Sequence, residues 1–315
     1  VLGSRGLGDV YKRQGHNKNK IDKLASGEKE WILTSAWRND VVNSDDYRAY
    51  VGGTSGLIYG YVNDGFYTVA DFESFDSKSR TWKLKEGVVD SSPLSDTPRP
   101  GNAKFKKLTP VDPNSTNPYQ LTEADRTVIG NTTPKFSGGF GLNATYKGFD
   151  MSMFFNFMYD FDVLNANKIM LTTWADNKEN NFLMDIASDK RWRNFDDMGN
   201  EIRYSPEVLA EFNKNATMWN PTSIGRPICM SYAVEDGSFL RLNSATLGYT
   251  LPSVWTKKVG LSKVRFYVSG NNLFTLTGYS GYDPEVNIAT GLTPNIDYNR
   301  YPRSRTYTFG AQLTF

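Results

Sequence analysis

The stretch from Lys135 to Val163, KFSGGFGLNATYKGFDMSMFFNFMYDFDV, decides the fold. In its first half Phe136, Phe140, Leu142, Ala144 and Tyr146 alternate with Ser137, Gly139, Gly141, Asn143 and Thr145. In its second half Phe149, Met151, Met153, Phe155, Phe157, Tyr159, Phe161 and Val163 stand against Asp150, Ser152, Asn156, Asp160 and Asp162. A period of two belongs to strands, since successive side chains point to opposite faces of a sheet. Between the halves lies Lys147-Gly148, a two-residue loop whose glycine accepts the positive φ that tight hairpin turns demand. The spacing therefore predicts a hairpin of strands 135–146 and 149–163. At ~3.3 Å per residue the second would reach about 50 Å, longer than the five or six residues usual in globular strands.

The same alternation recurs outward from this hairpin. Ala245, Leu247, Tyr249 and Leu251 mark a strand over 238–251, Val264, Phe266 and Val268 one over 263–276, and Tyr307, Phe309, Ala311, Leu313 and Phe315 one over 305–315. Weaker strand patterns lie near 29–38 and 50–62. Ser205-Pro206 opens a short helix, with Ser205 as N-cap and Pro206 at the first helical position. The Pro/Ser/Asp-rich piece 90–118 reads as a loop, and no internal repeat is present. The connections are unequal: short after 146 and 251, long over 64–134, 164–237 and 277–304. Alternating short and long ends are the layout of an outer-membrane barrel, with short periplasmic turns and long extracellular loops.

Composition supports this and removes other classes. The 315 residues carry 14% aromatics and balance 36 Lys+Arg against 34 Asp+Glu, so neither disorder nor a basic nucleic-acid surface fits. Mean hydropathy is −0.51 and no apolar run is long enough for a membrane helix, but barrel strands dilute hydropathy by facing lipid and lumen in turn. One cysteine, Cys229, and one histidine, His16, leave no zinc site of His/Cys type and no internal disulfide. The first fourteen residues, VLGSRGLGDVYKRQ, read as neither helix nor strand. They resemble a translated sequencing adapter of the kind found at the ends of metagenomic gene fragments, so the expected division is 1–14 as non-native and 15–315 as the protein. The natural chain is then expected to continue upstream.

Seven collinear segments carry a family resemblance: Asp125-Arg-Thr-Val-Ile-Gly-Asn131, Thr133-Pro-Lys-Phe136, Val234-Glu-Asp-Gly-Ser-Phe-Leu-Arg-Leu242, Leu247-Gly-Tyr-Thr-Leu-Pro252, Tyr267-Val-Ser-Gly-Asn-Asn-Leu-Phe-Thr275, Gly278-Tyr-Ser-Gly-Tyr-Asp-Pro-Glu-Val286 and Tyr301-Pro-Arg-Ser-Arg-Thr-Tyr-Thr-Phe309. Asn17–Ile21 and Gly60–Gly65 match as well. Together they resemble the C-terminal part of SusC/RagA-type TonB-linked outer-membrane transporters. The resemblance implies a 22-stranded antiparallel barrel with an N-terminal plug, of which this chain would hold about a third of the strands and none of the plug. It further implies import of oligosaccharides or peptides with a SusD-like surface lipoprotein and the TonB complex, in the outer membrane of a Gram-negative, Bacteroidetes-like cell. No catalysis, cofactor or nucleic-acid partner is implied. Ahead of Asp125 the family often carries an acidic Gly/Asp-rich stretch, whereas here Gly101-Asn-Ala-Lys-Phe-Lys-Lys107 stands, which argues against an ion site there.

Paired carboxylates such as Asp45-Asp46, Asp71 with Glu73, Asp196-Asp197 and Glu235-Asp236 read as loop charges rather than acid/base pairs, because strand neighbours point to opposite faces. Asp283-Pro-Glu285 reads either as calcium ligands or as a loop motif. Loop aromatics Trp174, Trp192, Trp219, Tyr232, Tyr279 and Tyr282 offer flat faces for sugar rings or apolar peptide groups, or else pack the loops. Tyr307, Phe309 and Phe315 form the aromatic C-terminal pattern that the resemblance makes a barrel assembly signal. A soluble extracellular carbohydrate-binding β-protein is the alternative class. Substrate identity and oligomeric state lie beyond the sequence.

Overall fold

A computed structural model of the chain describes residues 7–35, 37, 45–95, 97–173, 181–225, 227–288 and 291–315. Six antiparallel strands lie edge to edge in the order Leu7–His16, Phe136–Tyr146, Phe149–Tyr159, Phe239–Thr250, Lys263–Thr277 and Thr306–Thr314. The last five are the strands that alternation predicts. Among the described residues the sheet stays open. Lys147 and Gly148 both take positive φ, 46° and 86°, as a tight two-residue hairpin requires.

Register turns the alternation into two unlike faces. On one, Ala144, Met151, Leu247, Val268 and Phe309 pair in a row across five strands. On the other, Asn143, Ser152, Thr246, Ser269 and Thr308 do the same one step along. Ring contacts bind the apolar face: Phe140 stacks on Phe155 at 4.8 Å, and Phe149 meets Tyr249 at a tilt at 4.5 Å. Among the described residues nothing covers that face, and Phe309 is 80% exposed. A bulge at Asn243, where Phe154 pairs with Ser244 but Phe155 with Leu242, shifts the phase. It brings even-numbered Leu240 and Leu242 onto the same face as odd-numbered Ala245, Leu247 and Tyr249. Phe154 is the one ring of its strand's centre on the polar face, where it lies over Gly139; a Cβ there would meet the ring at 2.8 Å.

Three expectations need correction. The run 149–163 is not one strand: Asp160 takes φ 61°, a left-handed conformation that Asp tolerates. Beyond it Asp162–Asn165 leaves the wall to pair with Val234–Asp236 and, in parallel, with Ile296–Asp297. The segment 1–14 was expected to have no regular structure, yet Leu7–His16 forms the edge strand against Phe136–Tyr146. A free edge presents a ladder of backbone donors and acceptors that any extended segment can fill. The side chains do not follow the faces, however: Lys12 pairs with Phe140 and Gln14 with Gly138 on the apolar side, while Tyr11 pairs with Gly141 on the polar side. Finally, 90–118 is not only loop, because Ala103–Phe105 pairs with Asn63–Phe66 and buries Phe105 completely. Three residues are too few for a period of two to stand out.

The described parts of the long connections are folded. A four-stranded sheet of Glu30–Leu33, Tyr47–Tyr50, Leu57–Gly60 and Thr127–Asn131 and a hairpin of Phe72–Asp76 with Thr81–Leu84 build a layer at the long-connection end. One core gathers Tyr47, Ile58, Leu164, Ile169 and Ile296, another Phe105, Ile186, Trp219, Ile228 and Met230. The helix Pro206–Phe212 forms as expected, with Pro206 in its first turn, although the Ser205 side chain makes no capping hydrogen bond. No described helix is long and apolar enough to cross a membrane.

Candidate functional site

The folded layer is where the polar and aromatic residues of the long connections converge, and three buried carboxylates hold it in shape. Asp125 accepts hydrogen bonds from the Leu108 and Thr109 backbone N–H groups at 2.9 and 2.7 Å, and from Thr109 Oγ1 at 2.7 Å. It also accepts from the Thr122 N–H and hydroxyl, and the Lys107 ammonium stands 3.4 Å away. Lys104 meets Asp71 at 3.2 Å. Lys104 and Lys107 thus neutralise carboxylates directly. Burial works against the Asp125 charge, but these donors overcome it and hold its carboxyl well below the usual range.

A carboxylate held below its ordinary pKa adds stability that is complete above about pH 4 and is lost as pH falls through the folded value. Hydrogen exchange in 105–125 of the intact protein should accordingly rise on acidification below about pH 4. Asp125→Asn should weaken that segment by roughly 2–3 kcal/mol at neutral pH and flatten its acid response. An unchanged acid response in the variant would count against this role.

Asp46 is buried and accepts from the Ser35 N–H at 2.8 Å, the Ser35 hydroxyl and Trp37 Nε1 at 3.0 Å; burial raises its pKa despite those donors. Arg241, 2% exposed, forks onto Asp283 with contacts of 2.5 and 3.2 Å and reaches Glu285 at 3.2 Å, which also faces Arg303 at 3.3 Å. This pair ties the connection 277–304 to the wall strand Phe239–Thr250. The carboxylates of Asp283-Pro-Glu285 therefore serve guanidinium groups, and a calcium ion would have to displace them. The other paired acids are likewise engaged: Glu73 with Lys83 at 2.7 Å, Asp197 with Arg193 at 2.8 Å, Asp196 in a turn with Met198 and Asn200, and Glu235 with Asn165, Ser280 and Lys168. No acid/base constellation emerges among the described residues.

The six loop aromatics separate. Trp219, 1% exposed, donates Nε1–H to the Thr172 carbonyl at 3.3 Å and meets Tyr232 edge-on at 4.8 Å. Trp192, 2% exposed, packs edge-on against Phe66. Tyr279 is buried and donates its hydroxyl to Asp297 at 2.7 Å, and burial foremost pushes its pKa up. Trp219 and Tyr279 hold cores and present no free face, because the layer needs large apolar side chains of its own, whereas Trp192, though packed into a core, also lines a cavity. Tyr232 is half-buried, with its hydroxyl on Asp185 at 3.0 Å and the Lys168 ammonium 4.4 Å over its ring. Tyr282 is 85% exposed. Trp174 lies outside the described residues.

One cavity went unnoticed in the sequence. A volume of about 370 Å³ is lined by Arg191, Trp192, Arg193, Phe195, Asp196 and Arg203, among others, so that of the six loop aromatics Trp192 contributes to it. Its donors and ring edge suit hydroxyl-rich or carboxylated ligands. The signal available was the dense run Arg191-Trp-Arg-Asn-Phe195.

A polar face and an uncovered apolar face on one antiparallel sheet, with short turns at one end and a folded layer at the other, define a section of outer-membrane β-barrel wall with its outer rim. The comparisons narrow this further. TonB-dependent receptor P3 of Formosa agariphila is 32% identical over 305 residues, covering 95% of this chain and 26% of the receptor. TonB-dependent receptor SusC of Bacteroides thetaiotaomicron is 38% identical over 88 residues, 27% of this chain and 8% of SusC. The RagAB peptide transporter structure superposes with a TM-score of 0.62 at 21% identity, covering all of this chain and 28% of that one. No family model matches. Over nearly its whole length the chain is thus similar to part of a TonB-dependent receptor, and it spans about a quarter of the length of the curated relatives it matches most fully.

Proposed function

We propose that this chain is one segment of the wall and rim of a TonB-dependent importer that takes up oligosaccharides or peptides with a SusD-like lipoprotein, and that it is not an enzyme. The observation that carries the reading is the five-strand apolar row ending at Phe309, backed by the polar row ending at Thr308. Such a wall has lipid on one side and a wet lumen on the other, with every inner strand's backbone groups satisfied by its neighbours. The short turns 147–148 and 252–262 then fall on the periplasmic side and the folded layer on the outside, towards lipoprotein and substrate. The peptide-transporter description of RagAB supports peptides as one class of cargo. Tyr282 and Tyr232 are the substrate-facing aromatics of this proposal, and Tyr307, Phe309 and Phe315 its assembly signal. Residues 1–14 are foreign to the wall, a reading supported by Lys12 and Gln14 on its apolar face; reading the source DNA across residue 14 tests it.

The experiment is fractionation of cells making the intact receptor, followed by uptake of fluorescent maltooligosaccharides and peptides. The receptor should leave the membrane only with detergent, and uptake should cease when a protonophore removes the energy supplied through TonB. Recovery in the aqueous phase without detergent would instead favour a soluble binding protein. Tyr282→Ala should leave membrane insertion intact while reducing uptake.

A further inference from the structure

The segment Pro252-Ser-Val-Trp-Thr-Lys-Lys-Val-Gly260 does more than join two strands. It folds as a short helix, Ser253–Thr256, followed by a helical turn, Lys257–Val259, that ends at Gly260 with φ 72°. A minimal turn would need two residues, as at Lys147-Gly148. The longer version presents Val254, Trp255 and Val259 to solvent at 69%, 60% and 71% exposure, while buried Thr256 faces inward. Lys257 and Lys258 follow with no carboxylate within ion-pair reach among the described residues, and the whole stretch 252–263 holds no acid.

Two features of the surroundings identify what covers this turn. The first is continuity. Leu251 N–H donates to the Val264 carbonyl at 2.9 Å, so the turn leaves the wall where the apolar face ends in Tyr249 and Phe266, beside Phe149 and Tyr146. The second is charge. Lys147 of the neighbouring hairpin and Lys263 stand at the same end, and the nearby acid, Asp150, is already bound by Arg265. An edge with exposed Trp, Val and unpaired ammonium groups, continuous with a lipid-facing sheet, matches the headgroup region of a bilayer, where indole rings sit and anionic phosphates attract lysine.

We propose that Pro252–Gly260 is a membrane-interface anchor, with Val254, Trp255 and Val259 inserted at the level of the lipid glycerol groups and Lys257 and Lys258 on the phosphates of anionic glycerophospholipids. This rests on the barrel-wall reading and adds a specific lipid contact to it. It also accounts for why a turn that two residues could close is built from nine: the helix carries apolar groups sideways onto the bilayer surface.

The test uses the intact receptor, reconstituted in vesicles of phosphatidylethanolamine and phosphatidylglycerol. Spin labels are placed singly through Trp255→Cys and, as a control for the wall, Phe309→Cys, with accessibility to oxygen and to a water-soluble nickel chelate as the readout. The expected result is a 255 label at interfacial depth and a 309 label deep in the acyl region. A 255 label open to the nickel chelate, or shielded from both relaxants by other protein, overturns the anchor while a deep 309 label leaves the wall standing. A 309 label in water overturns both. In a second arm, Lys257→Glu with Lys258→Glu should cut the enrichment of phosphatidylglycerol over phosphatidylethanolamine in the lipid retained on purification, by about five-fold. An unchanged ratio removes the phosphate contact.

Discussion

Arg241→Met is expected to release the connection 277–304 from the wall, at a cost of roughly 3–5 kcal/mol. The guanidinium is 2% exposed, and its two-pronged contact with Asp283 and single contact with Glu285 compensate carboxylates that have little access to water. Removing it strands Asp283, 4% exposed, as an uncompensated buried charge. That penalty, more than the loss of the contact itself, sets the size of the effect. Exchanging both partners, Arg241→Met with Asp283→Leu, removes the stranded charge and should restore most of the stability, since Glu285 keeps Arg303 at 3.3 Å. Hydrogen exchange along 277–304 of the intact receptor distinguishes the cases. Equal protection in the single and double variants would mean that the pair does not hold this connection down.

Phe155→Arg or Phe309→Arg should impair assembly of the intact receptor by about 2–4 kcal/mol, the cost of a cation on the lipid face near the bilayer midplane. Phe155 sits mid-strand in the eleven-residue Phe149–Tyr159, stacked on Phe140. At ~3.3 Å per residue and the tilt usual in barrels, that strand climbs about 25 Å, the height of the apolar band. Ser152→Asn and Thr308→Asn, one step out of phase, should assemble normally. The amount of detergent-extractable folded receptor in the outer membrane measures both. Normal assembly of the arginine variants, or failure of the polar ones, would reverse the assignment of the faces.

The wall was legible in the residues because its environment is uniform. Lipid on one side and water on the other impose a strict period of two, and a strand cannot disobey it for long without putting a charge into hydrocarbon. Hence the five strands, the Lys147-Gly148 hairpin and the common facing of Phe155 and Phe309 could all be read along the chain. The exceptions in the wall are local. The bulge at Asn243 shows itself as a phase change between Leu242 and Ala245, and the break at Asp160 is a single residue with positive φ inside an alternation that otherwise continues to Val163.

The folded layer was legible only in fragments, and the candidate site least of all. Its strands are two to five residues long, too short for a period to rise above chance, and its partners are far apart in the chain: Arg241 with Asp283, Lys107 with Asp125, Tyr47 with the Pro294 carbonyl. Trp192, Trp219 and Tyr279 look in sequence like free recognition rings, as Tyr282 does. Only packing separates them, because a large aromatic side chain serves a core and a binding surface equally well until its neighbours are known. By itself the amino-acid order determined an antiparallel, two-faced sheet with short and long ends, since that pattern is dictated by solvent on each side of every strand. Which aromatics are buried, which carboxylates are spent on lysine and arginine, and which turn bears exposed Trp255 were decided by tertiary structure, since burial and ion pairing depend on contacts that no local spacing encodes.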